Sequence, residues 1–480
     1  MNAVDLVIRS GKVVSPDSVI EACVAIKDGI VVAVGAEAAM PSARETLDAS
    51  GLHVLPGAID VHVHFRDPGY PHKEDFESGT AAAAFGGVTT VFDMPNTIPP
   101  TGTPEILAAK HKMAAEKAHV DFGLYGLLGE DTIEHVPELA KTVIGFKLYM
   151  GNTFGAIPTP STGVTLEAFE TVALTGKRVS LHAEENSTMV NRETRMRNAG
   201  RVDPLAHLAS RPAVVAIEAV SRAAILAEWT GARIHILHIS SAEELRPLRE
   251  AKARGVDITG ETCPHYLVLS SEDYARFAGV IRVNPPVREK RNQEPLWAAL
   301  ADGCVDVIAT DHAPHSPEEK TRNDIWTVDC GFPGVETQMP IMLTEAAAGR
   351  FSVCDYVRWS AASPAKIWGL YPRKGVIQPG AEADIAIVDI NREWTIDDAK
   401  LQSRSKITPF HGRRMKGLPI HTLVRGRFVM RDRVLARDTR GWGRSVHTIQ
   451  RLPPPRPQNT DQTMQAILRA APAGAGERGR

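Results

Sequence analysis

The sequence predicts an α/β protein in which a (β/α)8 barrel of the TIM type carries a small β-sandwich domain built from both chain ends. Two observations predict this fold. Strand-like and helix-like segments alternate between residues 58 and 311, and similar runs of short strands occur near both ends of the chain. Eight alternating units imply a parallel sheet covered on both faces, and eight is the number that closes a barrel.

The small domain is predicted from two separate segments. Residues 1–55 contain short strands separated by turns, including DLVIRSGKVV and EACVAIKDGIVVAVG. Similar strands return in residues 372–440, in GVIQPGAEADIAIVDI and HTLVRGRFVMRDRVLA. Neither segment is long enough for a core of its own, so we expect the two to pack together.

Residues 56–371 form the predicted barrel. Its candidate strands are AIDVHVHF (58–65), VTTVFDM (88–94), HVDFGLYG (119–126), VIGFKLYM (143–150), RVSLHAE (178–184), RIHILHI (233–239), VDITGE (256–261) and VDVIATD (305–311). Helix-like segments lie between most of them, such as residues 73–85 and 212–231. Residues 441–480 are rich in Pro, Gly and Ala, which is typical of a flexible tail.

Composition excludes several classes of protein. The 480-residue chain has a net charge of -2, so it offers no basic footprint for nucleic acid. No apolar run approaches the length of a membrane span, and the start lacks the pattern of a signal peptide. The five cysteines contain no Cys-x-x-Cys pair, which favours reduced thiols. We therefore expect a cytoplasmic protein that binds neither nucleic acid nor membrane.

The first barrel strand ends in DVHVHFRDPG, residues 60–69, where His62 and His64 lie two positions apart and Arg66 follows. Alternate side chains of a strand point to one face, so all three are predicted to face the same way. Two histidines at this spacing suit a metal ion, and an arginine beside a metal suggests an anionic ligand. The alternative is a half-buried strand with incidental polar residues.

Further polar side chains stand at the ends of other predicted strands, namely Lys147, His182, His238 and Asp311. Barrel enzymes build their active sites at this face, so we expect these residues to join the two histidines of the first strand. His235 lies an odd number of positions from His238, so it is predicted to face the outer helices and to have no role.

Lys147 requires an explanation of its own. An ammonium group among metal ligands would repel the cations, so the amine should be neutral there. Addition of CO2 to a neutral amine gives a carbamate, whose two oxygens can bridge two metals. The alternative is a lysine at the barrel rim whose amine reaches solvent.

Several motifs occur in order along the chain: DVHVHFRDPG, HKEDFESGTAAAAFGGVTTVFDMPNT, GFKLYMGNTFG, SLHAEE, ILHIS, RVNPPVR, IATDHAPH and GFPGVET. Together they resemble dihydroorotase of the cyclic amidohydrolase group, most of all the type fused into animal pyrimidine-synthesis polypeptides. The resemblance runs from about residue 5 to about residue 440 and includes EWTIDD and TPFHGRRMKG.

The resemblance implies two Zn2+ ions per subunit, with His62, His64 and Asp311 at one ion, His182 and His238 at the other, and a carboxylated Lys147 as the bridge. It implies contacts to the substrate carboxylate from Arg66, Asn96 and His315, and contacts to the ring from Asn284 and from the backbone near Pro333 and Gly334. Thr153 and Phe154 resemble the tip of a loop that closes over substrate.

The activity implied by the resemblance is reversible hydrolysis of (S)-dihydroorotate to N-carbamoyl-L-aspartate in pyrimidine biosynthesis. Water activated by the metals would attack the ring carbonyl, and Asp311 would accept its proton and pass it to the leaving nitrogen. The resemblance also implies a homodimer and a contact with aspartate transcarbamoylase.

One residue departs from the pattern, and two alternative functions stay open. Asp93 stands where similar dihydroorotases often carry a small apolar residue, and strand parity relative to Asn96 predicts that it points away from the pocket. An allantoinase or hydantoinase would share the metal ligands but would generally lack the combination of Arg66 and Asn96. A non-catalytic homologue serving as a scaffold for aspartate transcarbamoylase would be expected to have lost ligands, whereas this chain has kept them.

Overall fold

The computed structural model describes residues 3–155 and 157–447 and has the predicted fold class. The strands of the first segment are β1 (Val4–Val14), β2 (Val19–Lys27), β3 (Ile30–Gly35), β4 (Ala43–Asp48) and β5 (His53–Pro56). The barrel strands are β6 (Ala58–Val63), β7 (Val88–Asp93), β8 (Asp121–Leu128), β9 (Gly145–Tyr149), β10 (Arg178–His182), β11 (Arg233–Ile236), β12 (Ile258–Thr262) and β13 (Val307–Ile308). The strands of the last segment are β14 (Ile385–Thr395), β15 (Arg414–Val424), β16 (Arg427–Arg431) and β17 (Val434–Leu435).

Strands β6 to β13 form one parallel sheet in which each strand pairs with its neighbour in the sequence. Contacts between the first and last strands bring the two edges of this sheet together. The backbone N–H of His64 donates to the carbonyl of His312 at 2.7 Å, and Val63 forms a parallel bridge with His312. The sheet is therefore a nearly closed barrel, with all strand carboxyl ends at one mouth.

Helices pack around the barrel: α1 (Phe76–Phe85), α2 (Pro104–Lys117), α3 (Val136–Leu139), α4 (Thr162–Ala173), α5 (Asn186–Asn198), α6 (Pro204–Ser210), α7 (Ala213–Thr230), α8 (Leu245–Ala253), α9 (Pro264–Val268), α10 (Tyr274–Phe277), α11 (Gln293–Ala301), α12 (Pro317–Lys320), α13 (Gln338–Ala347), α14 (Val353–Val357) and α15 (Ser363–Ile367). Local sequence fixes several of their ends. The Asp75 carboxylate accepts from Ser78 N at 2.8 Å at the start of α1. Helix α7 ends at Thr230 and is capped by Gly231, whose φ of 71° suits a glycine.

Apolar side chains fill both faces of the barrel sheet. One large cluster lies between the strands and the helices and includes Phe122 and Phe146. Residues of the opposite strand face, such as Phe92 and Tyr125, form a second cluster inside the barrel with Trp368. Because the inside is filled in this way, the polar side chains gather at the mouth above it.

The strands from the two chain ends form one mixed sheet in the order β17-β16-β15-β14-β5-β1-β2-β3, with β4 beside β1. Strands β5 and β14 are antiparallel neighbours, which joins the two segments. Ile8, Val24, Ile385 and Leu423 belong to one buried cluster, so the two halves of the sheet share a core. The two chain ends therefore build one small domain, as the sequence predicts, and its strands form a single mixed sheet.

The first residues of the predicted flexible tail, 441–447, pack against the barrel. Gly443 N donates to Ala118 O at 2.8 Å, Val446 N donates to Phe122 O at 2.7 Å, and the Val446 side chain is buried. The prediction of a free tail is therefore wrong for residues 441–447, because their backbone groups are paired with the barrel. Residues 448–480 lie outside the described residues.

Two predictions from composition can be compared with the structure. The five cysteines are free, as expected of reduced thiols. Across residues 3–155 and 157–447, no helix is both long enough and apolar enough to cross a membrane.

Candidate active site

The six predicted metal ligands lie together at the mouth of the barrel. His62 belongs to β6, Lys147 to β9 and His182 to β10, whereas His64, His238 and Asp311 follow the ends of β6, β11 and β13. All six side chains are buried. The ring centroids of His62 and His64 are 5.3 Å apart, those of His62 and His238 are 5.4 Å apart, and those of His182 and His238 are 4.7 Å apart.

These residues form two neighbouring groups of donor atoms. Nε2 of His62 and Nε2 of His64 each lie 3.2 Å from Oδ1 of Asp311, in a group whose ligand atoms all fall within 4.8 Å of one another. Nδ1 of His182 lies 2.9 Å from Nε2 of His238. Nitrogen and carboxylate donors that converge in this way fit a divalent metal such as zinc.

Hydrogen bonds behind the imidazoles orient three of them toward these groups. Nδ1 of His62 lies 2.6 Å from Glu261 Oε1, and Nδ1 of His64 lies 2.7 Å from Asn96 Oδ1. Nε2 of His182 lies 3.0 Å from Glu184 Oε2. A ring N–H that donates to such an oxygen leaves the other ring nitrogen with its lone pair free for a metal. The donor set therefore fits a metal ion in its orientation as well as its composition.

Burial also sets the protonation of the site. It lowers the pKa values of His62 and His64 well below their usual range; the charge of Lys147 acts in the same direction on both, and that of Arg66 on His64, so both imidazoles are neutral. Burial lowers the pKa of Lys147 to about 7 and raises that of Asp311 to about 7. The Lys147 ammonium nitrogen lies 4.5 Å from the centroid of the Tyr149 ring.

Three residues of the site have a strained backbone. Arg66, His238 and Asp311 have φ values of 62°, 40° and 49°, a region that residues other than glycine seldom adopt. Each follows the end of a barrel strand, where the chain turns sharply away from the sheet. Such strain is concentrated at functional sites, where the surrounding structure holds it in place.

Arg66 lies beside the metal ligands with one end of its guanidinium free. Nε donates to the carbonyl of Pro314 at 3.3 Å, and Nη2 lies 3.0 Å from Nε2 of His315. The buried Nη1 has no hydrogen-bond partner among residues 3–155 and 157–447. The guanidinium carbon is 4.4 Å from the centroid of the Phe154 ring.

A small cavity at the mouth is lined by His64, Arg66, Asn96, Thr153, Phe154, Val283, Asn284, Asp311, Ala313 and Cys330. Three of the six predicted substrate contacts, Arg66, Asn96 and Asn284, are therefore brought to one place, together with the predicted loop residues Thr153 and Phe154. Asn96 also orients a candidate metal ligand, because its carboxamide oxygen lies within hydrogen-bond distance of Nδ1 of His64. Asn284 is held by Nε2 of His207, which lies 2.8 Å from its Oδ1.

The remaining predicted contacts, His315, Pro333 and Gly334, are not among the residues that line this cavity. His315 is 2.9 Å from the ammonium of Lys73, and its ring packs edge-on against Phe154. Pro333 and Gly334 are buried, and they follow the lining residue Cys330 in the sequence. The backbone N–H of Gly334 donates to Nδ1 of His312 at 3.0 Å.

Asp93 points away from the cavity, as its strand parity predicts. Its Oδ1 accepts from the backbone N–H of Phe65 at 2.7 Å, and its Oδ2 pairs with the buried ammonium of Lys110 at 2.6 Å. The carboxylate is thus neutralised inside the protein and would not oppose an anionic substrate.

The prediction for His235 is wrong. Its Nε2 lies 3.0 Å from Glu261 Oε2, so the ring faces the barrel interior and not the outer helices. The parity argument fails because β11 ends at Ile236 and the backbone of His238 is left-handed, so alternation does not extend from one residue to the other.

Two buried carboxylates at the site were missed. Glu261 is the last residue of the seventh predicted strand, VDITGE (256–261). Glu184 follows His182 by two positions and also pairs with Arg211. Both could have been found by their position at or just beyond a predicted strand end.

Comparison with known proteins agrees with this geometry. Residues 53–429 match the family model described as the Amidohydrolase family. An L-hydantoinase of Paenarthrobacter aurescens is 34% identical over 434 residues, which cover 88% of this chain and 94% of the relative. An allantoinase of Streptomyces avermitilis is 36% identical over 436 residues, covering 90% and 97%. A dihydroorotase of a Geobacter species is 36% identical over 431 residues, covering 88% and 99%.

A solved structure supports the same relationship. The L-hydantoinase (dihydropyrimidinase) from Arthrobacter aurescens superposes with a TM-score of 0.90 at 33% identity, covering 92% of this chain and all of that chain. Relatives with different substrates in their names thus match over nearly their full lengths. By sequence and by fold, the chain belongs to the amidohydrolase family.

Proposed function

We propose that the protein hydrolyses the ring of a cyclic ureide with the help of two divalent metal ions bound at the barrel mouth. The observation that carries the proposal is the convergence of four imidazoles, one lysine and one carboxylate in a single buried site. Hydantoin, allantoin and dihydroorotate share a ring unit in which one nitrogen lies between two carbonyls. Opening the ring at this nitrogen gives an N-carbamoyl acid in the hydantoin and dihydroorotate cases.

The proposed metal ligands divide between two positions. His62, His64 and Asp311 would hold one ion, His182 and His238 would hold the other, and Lys147 would bridge them as its carbamate. When bound, such ions supply a Lewis acid for the ring carbonyl and lower the pKa of water. The orientation of the imidazoles by Glu261, Asn96 and Glu184 supports this assignment.

Asp311 is the proposed proton carrier. Its carboxylate both touches the two histidines of the first group and lines the cavity, so it stands between the ligand cluster and any bound ring. It would take a proton from the attacking water and give it to the ring nitrogen that leaves. Phe154, which also lines the cavity, would exclude bulk water from it.

A hydantoin-type ring, as in allantoin or a 5-substituted hydantoin, is the first candidate substrate. It is favoured by the relatives named L-hydantoinase and allantoinase and by the similarity to the solved L-hydantoinase structure.

Dihydroorotate is the second candidate, and one observation favours it. The buried Nη1 of Arg66 lies without a partner beside the cavity, and a guanidinium is well suited to grip a carboxylate. The dihydroorotase relative is as similar to this chain as the allantoinase.

The proposal is tested by assaying the purified, zinc-loaded protein on hydantoin, a 5-substituted hydantoin, allantoin and dihydroorotate under the same conditions. We expect ring opening of at least one of them, with the highest kcat/KM on a hydantoin-type ring. A higher kcat/KM on dihydroorotate would select the second candidate. No turnover of any of the four would contradict the proposal.

A further inference from the structure

Glu261 connects two histidines that lie on different strands. It is wholly buried near the end of β12, and its two carboxylate oxygens are used separately. Oε1 lies 2.6 Å from Nδ1 of His62 and also accepts from the backbone N–H of His238 at 3.3 Å, whereas Oε2 lies 3.0 Å from Nε2 of His235. A metal-ligand candidate and a histidine with no assigned role are therefore joined through one side chain.

We propose that Glu261 is the positioning residue for one metal site of the proposed active centre and that His235 holds Glu261 in place. By accepting from Nδ1–H of His62, Glu261 fixes the tautomer in which Nε2 carries the lone pair. It is Nε2 that lies 3.2 Å from Asp311 Oδ1, within the donor group shared with His64.

The position of Glu261 argues against its being a ligand itself. It contacts the Nδ1 edge of the His62 ring, whereas the donor atoms converge at the Nε2 edge. The group of convergent donors found in the described part of the chain contains His62, His64 and Asp311 but not Glu261. Glu261 therefore acts through His62.

His235 is fixed at both edges of its ring. Its Nδ1 lies 2.8 Å from Thr259 Oγ1, the residue paired with it across β11 and β12. The Trp368 ring packs nearly perpendicular to it, with centroids 4.9 Å apart. Because this imidazole cannot turn freely, the carboxylate that it contacts is also held in one orientation.

Zinc binding to the whole chain provides the test, and the inference rests on the metal centre of the proposed function. Metal-free protein is titrated with Zn2+ against a coloured chelator, which resolves the two binding events. Glu261→Met should weaken one of them by about ten- to a hundredfold, and Glu261→Gln, which keeps an acceptor for His62, should weaken it less. The weakened event should be the one that His64→Ala removes, not the one that His182→Ala removes.

Glu336→Met is the matched control, because Glu336 is also buried but accepts from the backbone of Gln402. It should leave both zinc affinities unchanged. Wild-type affinities in Glu261→Met, or equal weakening of both events, would overturn the inference. If Glu261→Met does not fold, the comparison of His235→Phe with His235→Gln decides: only Phe should weaken the first event, and equal affinities in the two variants would overturn the inference.

Failure of the proposed function gives a different result. A wild-type chain that binds no zinc would contradict the metal centre itself and, with it, this inference. A wild-type chain that binds two zinc ions while Glu261→Met binds them equally well would contradict the role of Glu261 alone.

Discussion

The side chains at the barrel mouth fall into two groups. Some line the cavity, and others form hydrogen bonds that orient the lining side chains. His64 illustrates the division, because its Nε2 faces Asp311 while its Nδ1 is held by Asn96. The resemblance to dihydroorotase implies that Asn96 contacts the substrate, yet its carboxamide oxygen is already used for this support. A substitution at such a residue would therefore affect the proposed metal site and substrate binding together.

Replacing Lys147 tests the proposed bridge between the metals. Lys147→Ala should lose bound metal and ring opening together, with turnover falling more than about a hundredfold, because losing even an outer partner of a ligand costs about ten- to a hundredfold. Short carboxylic acids should restore part of both by taking the place of the carbamate. Lys177→Ala is the control, since that lysine donates to the carbonyl of Val143. Full metal content with normal turnover in Lys147→Ala would rule out the bridge.

Replacing Arg66 separates the two candidate substrates. If Nη1 grips a substrate carboxylate, Arg66→Met should lose a charge-assisted contact of about 1.5–3 kcal/mol, which corresponds to about ten- to a hundredfold in kcat/KM for dihydroorotate. The rate on hydantoin, which lacks that carboxylate, should change much less, and the zinc content should stay the same. Equal losses on both substrates would show that Arg66 supports the site as a whole.

At the scale of elements, the ends of the barrel strands carry the candidate chemistry. Strands β6, β11 and β13 end at Val63, Ile236 and Ile308, just before residues whose backbone is left-handed. Alternation of side chains predicts facing correctly within a strand, but it cannot cross such a turn. This is why the alternation rule predicts the wrong face for His235.

The segment 441–447 is an element that composition alone does not reveal. A Cβ atom added to Gly443 would lie 2.1 Å from the carbonyl oxygen of Val120, so this close approach requires a glycine. Gly443→Ala should lower the free energy of unfolding by about 1–3 kcal/mol, as expected for overpacking, measured by denaturant titration. Gly163→Ala, where the nearest atom would be 3.8 Å away, should have no destabilising effect. Equal stability of the two variants would show that the docking of this segment is loose.

At the scale of the whole molecule, a buried ion cluster joins the barrel to the small domain. The Lys374 ammonium lies 2.7 Å from Asp121 Oδ2 at the start of β8 and 2.8 Å from Glu382 Oε2, and it also pairs with Asp384 just before β14. The guanidinium of Arg425 pairs with the same Asp121. The carboxylate of the barrel residue Asp121 is therefore neutralised by cations from the segment that leads into and belongs to the small domain. Without these partners the buried charges on both sides would be unpaired.

Removing the central cation of this cluster should destabilise the fold strongly. Lys374→Met leaves buried carboxylates without their partner, a change that costs about 3–5 kcal/mol, and the loss should appear in denaturant unfolding. Lys141→Met removes an exposed pair with Glu138 and should cost at most about 1 kcal/mol. Similar stabilities for the two variants would mean that the cluster does not hold the parts together.

The barrel could be predicted from sequence because alternating strands and helices, each with its own hydrophobic pattern, repeat along the chain. The gathering of the candidate metal ligands at the barrel mouth could also be predicted, since the histidines and Lys147 stand at predicted strand ends. The support of His62 by Glu261 could not, because it depends on which residues of separate strands meet around the barrel. The domain boundaries, the homodimer and the contact with aspartate transcarbamoylase stay predictions.

The central claim is that ring opening of a cyclic ureide depends on metals held at the barrel mouth. The most direct measurement titrates metal-free protein with Zn2+ while following ring opening of the best substrate in the panel. We predict no turnover without metal, an increase with each addition, and a maximum at two zinc ions per chain. Undiminished turnover in the metal-free protein, or no turnover at full zinc occupancy, would contradict the account.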